Sequence, residues 1–510
     1  MKHLIFLPVE SNFIVPNRLF VTLENANILA EQGEDVKLIY CDGNPGNLCW
    51  INTQCDKMMC KICTRYRKNM FSGLNKKVQP IPISAFFKKN LNDYRDLTFE
   101  YKSNTDIKKL TYNHVSIGYA ALSAYISPTR NLYPLMDAEF RQYFDTLLKT
   151  EVILTDIVNA ALEKFQPDAV GIFNTRFTVS KPVFDTCCYQ NVEVMVYETT
   201  GNVVNGRQLT YFKNSAPQDV PYNTQLLHTM WTTSPLSDQE KIKIGTKFFQ
   251  DRRGAIPAGD KVYIGDQKEG LLPDNWDDKK HNIVIFNSSE DEYVSLGEEF
   301  DHNLFPSQYQ GIKTIFEHFK NEKDYHFYLR VHPKLKNIKY NYHLKLYDLA
   351  EIGDNITIIP GNSPVSTYAL MDAAEKIIVF GSTTGYEAVF WEKPVISLCL
   401  CEYSMLDICY SPTTIEELDN LITQDLKPKD KMPAIKLAYY RMNKERPDFK
   451  WFEYTITHHN LLGKKFDIYK WKTDGHWWEK NLCVMLQIMG AIYRQKKHPR
   501  PTKEDPNAVL

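Results

Sequence analysis

The chain opens on an apolar run, Leu4 to Val9. A helical spacing of apolar residues follows through Leu19, Leu23, Ala26 and Ala30, and then a second apolar run, Val36 to Tyr40. Apolar runs flanking a 3.6-residue period predict a strand, a helix and a strand, and Gly33 falls where a left-handed residue would end the helix. The unit recurs. A helical stretch from Ile153 to Phe165 stops before Pro167, and a strand is expected at Ala169 to Phe173. A further helix and strand are expected over Val183 to Cys188 and Val192 to Tyr197. Such alternation predicts a mainly parallel sheet with helices on both faces.

The pattern breaks at Gly265 to His281, a polar stretch with Gly, Pro and an Asp pair that reads as an interdomain linker. It then restarts more regularly. Strands are expected at Asn282 to Phe286, His326 to Val331, Ile356 to Ile359, Ile377 to Phe380 and Val395 to Leu398. Helices are expected between them, over about Tyr309 to Phe319 and then ending near Leu349, Ala374 and Phe390. The predicted class is α/β with two doubly wound domains, residues 1–270 and 271–450. Residues 451–510 are expected to pack back on the first domain as helices with a basic tail. In such sheets ligands gather beyond the carboxyl ends of the strands.

Composition narrows the field. A 510-residue chain with a 43% hydrophobic fraction has enough apolar content for two cores. Its 61 basic and 62 acidic residues leave a charge of −1, so there is no global field to collect nucleic acid, and an anion site must be local. No uncharged apolar run approaches the roughly 18 to 20 residues that span a bilayer, and the opening run is too short for a secretory signal; the expected location is cytoplasmic. Eleven cysteines in a reducing compartment then suggest burial or metal rather than disulfides. Cys49, Cys55, Cys60 and Cys63 cluster in an insertion near residues 41–63 and form a candidate structural zinc set, although only the last pair has ordinary zinc spacing. The alternative is free thiols in a lid-like loop. Cys187, Cys188, Cys399, Cys401 and Cys409 read as small core residues.

Three polar segments fall at expected strand ends of the second domain. GSTTGYEA, Gly381 to Ala388, puts Ser382, Thr383, Thr384 and Gly385 at a strand-to-helix turn, an arrangement suited to cradling an anion on backbone N–H groups. It lacks the lysine of a P-loop and the GxGxxG of a dinucleotide site. RVHPK, Arg330 to Lys334, offers Arg330, His332 and Lys334 for a diphosphate. FNSSEDEY, Phe286 to Tyr293, offers Ser288 and Ser289, with Glu290 and Asp291 beyond. Each alone could be a helix cap or a surface turn; topology predicts that all three converge.

FNSSEDEY, RVHPK, STYAL at Ser366 to Leu370 and FGSTTGYEAVFWEKPVI at Phe380 to Ile396 together resemble the carboxyl-terminal half of glycosyltransferases of capsular polysaccharide and surface-glycan biosynthesis. The His-Pro pair followed by a Ser-Thr turn is similar to that of polysialyltransferases and Kdo transferases. The resemblance implies a GT-B fold, two Rossmann-like domains facing across a cleft. FNTRF at Phe173 to Phe177 and YETTG at Tyr197 to Gly201 look like its cleft-facing motifs in the first domain.

It further implies that His332 and Lys334 meet the donor phosphates, Ser382, Thr383 and Thr384 their oxygens, and Glu387 a ribose hydroxyl. Glu198 is the first candidate for the base, with Glu10 and His114 as alternates; Asn174 and Arg176 would position acceptor or donor. The implied activity is transfer from a CMP-, UDP- or GDP-sugar to a growing bacterial surface glycan or lipid-linked acceptor. No cofactor is implied, and the absence of a D-x-D motif agrees with a metal-independent, inverting reaction. The rival readings are a catalytically inactive nucleotide-binding scaffold subunit and a nucleotide-sugar epimerase. The helical pattern of Trp478, Leu482, Met485, Ile488, Met489 and Ile492, with basic residues trailing, would suit either packing on the first domain or peripheral contact with the inner face of the cytoplasmic membrane.

Overall fold

In the computed structural model the chain is described except for residues 8–15, 44–48, 50–51, 54–55, 88–90, 201–207, 259–261, 302–303, 443–448, 462–463, 472–476, 498–499 and 509–510. Two sheets organise it. The first contains β1 (Lys2–Phe6), β2 (Asp35–Tyr40), β3 (Gln79–Pro82), β4 (Ala169–Phe173), β5 (Glu193–Thr200) and β6 (Gln208–Lys213), in the order β3-β2-β1-β4-β5-β6. All pairs are parallel except β5 with β6. The second contains β7 (His281–Phe286), β8 (Tyr325–Arg330), β9 (Ile356–Ile359), β10 (Lys376–Val379) and β11 (Val395–Ser397), all parallel, in the order β11-β10-β7-β8-β9. Both orders reverse beside their first strand, as in a Rossmann fold, and such a switch point opens a crevice at the strand carboxyl ends.

The elements follow from their sequences. Apart from the first residues of β7 and β8 and the half-buried Thr357 and Ile358 within β9, the second-domain strands are buried, which is why they read as apolar runs and why their ends lie within one residue of expectation. The helix Pro16–Glu31 ends before Gly33, whose φ of +86° is the left-handed conformation that glycine adopts without strain. The helix Ala138–Phe165 begins fifteen residues before its expected start, capped by the Asp137 side chain on the Phe140 N–H.

Three expectations of organisation change. The helices Val220–Thr233 and Asp238–Arg253, inside the expected first domain, contribute Leu227, Phe248 and Phe249 to the core of the second. The chain therefore passes between domains after β6, and the expected linker is part of the second domain: Trp276 stacks on Tyr328 with ring centroids 4.6 Å apart, and the Ser366 N–H donates to the Leu271 carbonyl. The last segment does return to the first domain, but through an antiparallel hairpin, β12 (Tyr454–Leu461) and β13 (Lys464–Trp471), before the helix Trp477–Lys497. Phe449, Phe452, Tyr454 and Leu486 join the first-domain core, and the buried Glu24 carboxylate accepts the N–H groups of Lys450, Trp451 and Phe452. On the terminal helix Met485 and Met489 remain about half exposed. Among the described residues no helix is long and apolar enough to cross a membrane.

Candidate functional site

The carboxyl ends of β7, β8 and β10 meet around a cavity of about 360 Å³. Its wall includes Ser288 and Ser289 after β7, His332 and Lys334 after β8, and Gly381, Ser382 and Thr383 after β10. The three segments singled out in the sequence are thus brought together. A smaller adjoining pocket continues past His332 to Tyr263, Tyr368, Thr384 and Glu387.

The turn after β10 is held from behind. Tyr403 donates its hydroxyl to the Ser382 carbonyl at 2.7 Å, and a Cβ on Gly385 would meet that hydroxyl and lie 2.9 Å from Tyr403 Cζ. Gly385 is therefore required by packing. Gly381 has φ +72°, and Thr384 Oγ1 donates to Ser382 Oγ at 2.7 Å. The expected cradle of N–H groups is partly used up internally: the Gly385 N–H bonds the Ser382 carbonyl and the Glu387 N–H the Thr383 carbonyl. Ser382 and Thr383, both hydroxyl residues, stand in the cavity wall.

After β8, the His332 N–H donates to Asn287 Oδ1 at 2.8 Å, which fixes the turn, and Nδ1 of His332 accepts the Lys334 N–H at 3.1 Å. The neutral ring then carries its proton on Nε2. Burial pushes its pKa down to about 4, so at neutral pH His332 could meet a phosphate as an uncharged donor and not as a cation. Lys334 is paired with Glu292. Arg330 departs further from expectation: its guanidinium, 2% exposed, donates to the Pro360 and Ser363 carbonyls, so it braces the loop after β9.

Ser288 and Ser289 are also engaged. Ser288 exchanges bonds with the Gln308 side chain through both its N–H and its hydroxyl, and Ser289 Oγ accepts from Arg130 at 3.2 Å. Arg130 belongs to the first domain, and its Nε lies 2.6 Å from Asp291 Oδ2. Burial raises the Asp291 carboxyl to about 6, with Arg130 opposing the shift. The FNSSEDEY segment thus anchors the second domain to Arg130 of the first as well as forming part of the cavity wall. Ser123 to the Ser295 carbonyl, at 2.7 Å, is a second tie between the domains.

Glu387, expected to take a ribose hydroxyl, has both oxygens occupied. Oε1 lies 3.0 Å from Arg252 Nη2, and Oε2 accepts the Tyr368 hydroxyl at 2.6 Å. Burial works against the Arg252 charge, and Glu387 more than compensates, leaving it firmly protonated. Arg252 and Arg441 also reach the main cavity, the latter donating from Nε to Glu402 at 3.1 Å. Sequence reading missed both arginines, because each belongs to a helix far along the chain from the motifs and no local pattern marks it.

In the first domain Asn174 takes a left-handed φ of +59° immediately after β4 and donates to Glu198 Oε2 at 2.6 Å. Its own Oδ1 accepts the Thr175 and Arg176 N–H groups, so the turn and the carboxylate are fixed as one unit. Glu198 lies inside β5, which runs on to Thr200, rather than after its end. Arg176 is lowered to about 10 by burial, offset by Glu292 and Asp291 of the second domain and by Glu198 of the first. That guanidinium joins the electrostatics of the two sides.

The alternates for the base fare differently. Glu10 lies outside the described residues. His114 is exposed and stacked on Tyr189, at a pocket that shares no lining residue with the cavity; Glu198, Asn174 and Arg176 are not among the cavity's lining residues either. Of the candidate zinc set, Cys55 is outside the described residues; Cys60 Sγ accepts from Asn52, Cys63 faces Arg67, and Cys49 is buried. Among the described residues no group of three or more metal-binding side chains assembles. Cys188 is exposed, so it is not the core residue expected.

Solved structures similar to the chain include the beta Kdo 2,4 transferase KpsC of Thermosulfurimonas dismutans, 11% identical over 63% of this chain and 87% of that one, TM-score 0.34. The UDP-GlcNAc 2-epimerase of Neisseria meningitidis is 12% identical over 87% and 100%, TM-score 0.23. The sucrose-phosphate synthase of Thermosynechococcus elongatus is 11% identical over 97% and 99%, TM-score 0.26. No curated protein sequence matches. A family model does: residues 276–435, which carry all three strand-end segments around the cavity, match the family described as capsule polysaccharide biosynthesis protein.

Proposed function

We propose that the protein is a glycosyltransferase of capsule or related surface-glycan synthesis, taking its sugar from a nucleotide-activated donor. The observation that carries this reading is the convergence of FNSSEDEY, RVHPK and GSTTGYEA on one cavity at the switch point of the second sheet, within the segment that matches the capsule family. The donor diphosphate or monophosphate would lie against Lys334, the Nε2–H of His332 and the hydroxyls of Ser382 and Thr383. The nucleoside would extend into the adjoining pocket beside Tyr263 and Tyr368.

Glu198 is the proposed base. Held by Asn174, it would take the proton of the acceptor hydroxyl as that oxygen forms a bond to the anomeric carbon. The bond from that carbon to the phosphate oxygen breaks, and its electrons leave with the nucleotide. Lys334, released from Glu292, and His332 would take up the charge that develops on the phosphate. The stereochemical outcome of this single displacement is inversion. The proposed steps use no divalent metal, and the donor proposed is a CMP-, UDP- or GDP-sugar.

A thermal-shift series with CMP, CDP, UDP and GDP, each with and without EDTA, tests the reading, because a ligand that binds only the folded state stabilises it by mass action. Stabilisation by one pyrimidine nucleotide, unaffected by EDTA and lost in Lys334→Ala, is expected. No shift with any nucleotide would overturn it.

A further inference from the structure

His114 was a candidate base, and its actual surroundings are unlike those of any base. Tyr112 and Val115 exchange both backbone hydrogen bonds at 2.9 Å, closing a two-residue turn over Asn113 and His114. Both central residues have positive φ, +44° and +68°. In such a turn the second position favours glycine, and an imidazole there is held against backbone preference. The ring it presents is stacked on Tyr189, 3.7 Å between centroids and 15° between planes, and Tyr189 itself is 59% exposed.

The two rings stand at a pocket of about 390 Å³ whose other walls are Asn113, Asp156, Asn159, Ala160 and Thr186. Asp156 is oriented by two phenols: Tyr94 donates to Oδ2 at 2.7 Å and Tyr112 to Oδ1 at 3.0 Å. A carboxylate has about four lone-pair positions, so each oxygen can still accept. Asn159 is fixed by Gln190 and by the Thr155 carbonyl. The Thr186 hydroxyl, in a residue only 3% exposed, has no hydrogen-bond partner among the described residues.

The chemistry of the lining selects the ligand class. No lysine or arginine lines the pocket, which argues against a phosphate or a nucleotide. An aromatic platform beside a carboxylate and two amides suits a ring that is apolar on its faces and bears hydroxyls around its edge. The location excludes the reaction centre. Thr186 and Tyr189 lie toward the carboxyl-terminal end of the helix Lys181–Tyr189, and that helix starts just after β4 ends. The pocket is therefore at the opposite edge of the first sheet from the cleft.

We propose that this pocket is a second glycan-binding site, which holds a sugar residue of an oligosaccharide on the His114–Tyr189 platform. That the oligosaccharide is a distal stretch of the acceptor rests on the transferase reading; the binding itself does not. The test is an array of bacterial surface oligosaccharides probed with the full chain, followed by titration calorimetry with the best-bound glycan. Two variants are compared with the native protein, Tyr189→Ala and His114→Gly, the latter supplying the residue the turn prefers and so preserving the fold. Each is expected to weaken glycan binding at least about tenfold, the loss typical of removing an aromatic anchor. The nucleotide-induced thermal shift should stay unchanged in both variants. No glycan bound on the array, or equal affinity in all three proteins, overturns the second site whatever the nucleotide experiment shows; failure of the nucleotide shift alone would instead count against the transferase reading.

Discussion

Glu387→Gln separates two roles for the same carboxylate. Glu387 is 3% exposed, and Arg252, at 6%, faces it with Nε at 3.1 Å and Nη2 at 3.0 Å from the same oxygen. The other oxygen accepts the Tyr368 hydroxyl. Glutamine is isosteric but neutral: its Oε1 can still accept from Arg252 and its NH2 can donate to the Tyr368 hydroxyl, so what is lost is the negative charge opposite Arg252. The Arg252 charge then stays buried against neutral acceptors, the amide oxygen and the Ala258 carbonyl at 3.3 Å, with no carboxylate opposite it. Removing one member of a buried pair typically costs about 3–5 kcal/mol. For a domain of this size, roughly 2–4 °C of melting temperature per kcal/mol puts the loss near 10 °C. Circular dichroism during heating of nucleotide-free protein reads it directly. Arg252→Met combined with Glu387→Met should recover much of the loss, because no uncompensated charge remains. Native stability in Glu387→Gln would refute the structural reading, and weakened nucleotide binding in that stable variant would return Glu387 to the ribose role that the sequence implied.

Gly385→Ala should collapse nucleotide binding, since the added Cβ meets Tyr403 and must displace the turn that presents Ser382 and Thr383; adding Tyr403→Phe should restore binding only in part, as Cζ still lies 2.9 Å away. His332, held neutral with a pKa pushed down to about 4, binds fewer protons folded than unfolded between about pH 4 and 6.5, so its burial subtracts stability progressively as pH falls through that window. Urea titrations should show His332→Gln losing less stability than the native protein between pH 7 and pH 4, by up to about 3 kcal/mol; parallel losses would contradict the neutral assignment. Asp291, raised to about 6, acts in the opposite direction, destabilising as pH climbs from about 4 to 6, which is why the comparison uses the difference between variant and native protein. Glu198→Gln should keep nucleotide affinity and stability while slowing transfer by roughly 10²-fold or more in a radiolabel assay; full activity would move the base elsewhere.

How much of this could be read from the sequence depended on whether the deciding interactions were local. The second sheet was legible nearly to the residue because buried parallel strands are unbroken apolar runs, and Gly33 marked a helix end because its conformation is a local property. β6 and the β12–β13 hairpin were not, since their polar and apolar residues mix and antiparallel partners are chosen by tertiary contact. The helices before residue 254 were assigned to the wrong domain for a related reason: periodicity shows that Phe248 and Phe249 are buried but not against which core. Convergence of the three strand-end segments followed from topology. The partners of their side chains did not, because Arg252 with Glu387, Arg130 with Asp291 and Arg330 with two carbonyls are made across large sequence separations. His114 drew attention as an ionisable residue, and only the fold shows it at the far edge of the domain.

The account stands most directly on what the cleft does to a donor. Purified protein incubated with CMP-, UDP- and GDP-sugars and an acceptor oligosaccharide, followed by mass spectrometry, reports both products of a transfer at once. The predicted result is an acceptor heavier by one sugar residue together with an equal amount of released nucleotide, from one donor, in EDTA, and formed roughly 10²-fold or more slowly by Glu198→Gln. Donor that remains intact in every mixture, or is consumed with no gain in acceptor mass, would contradict it.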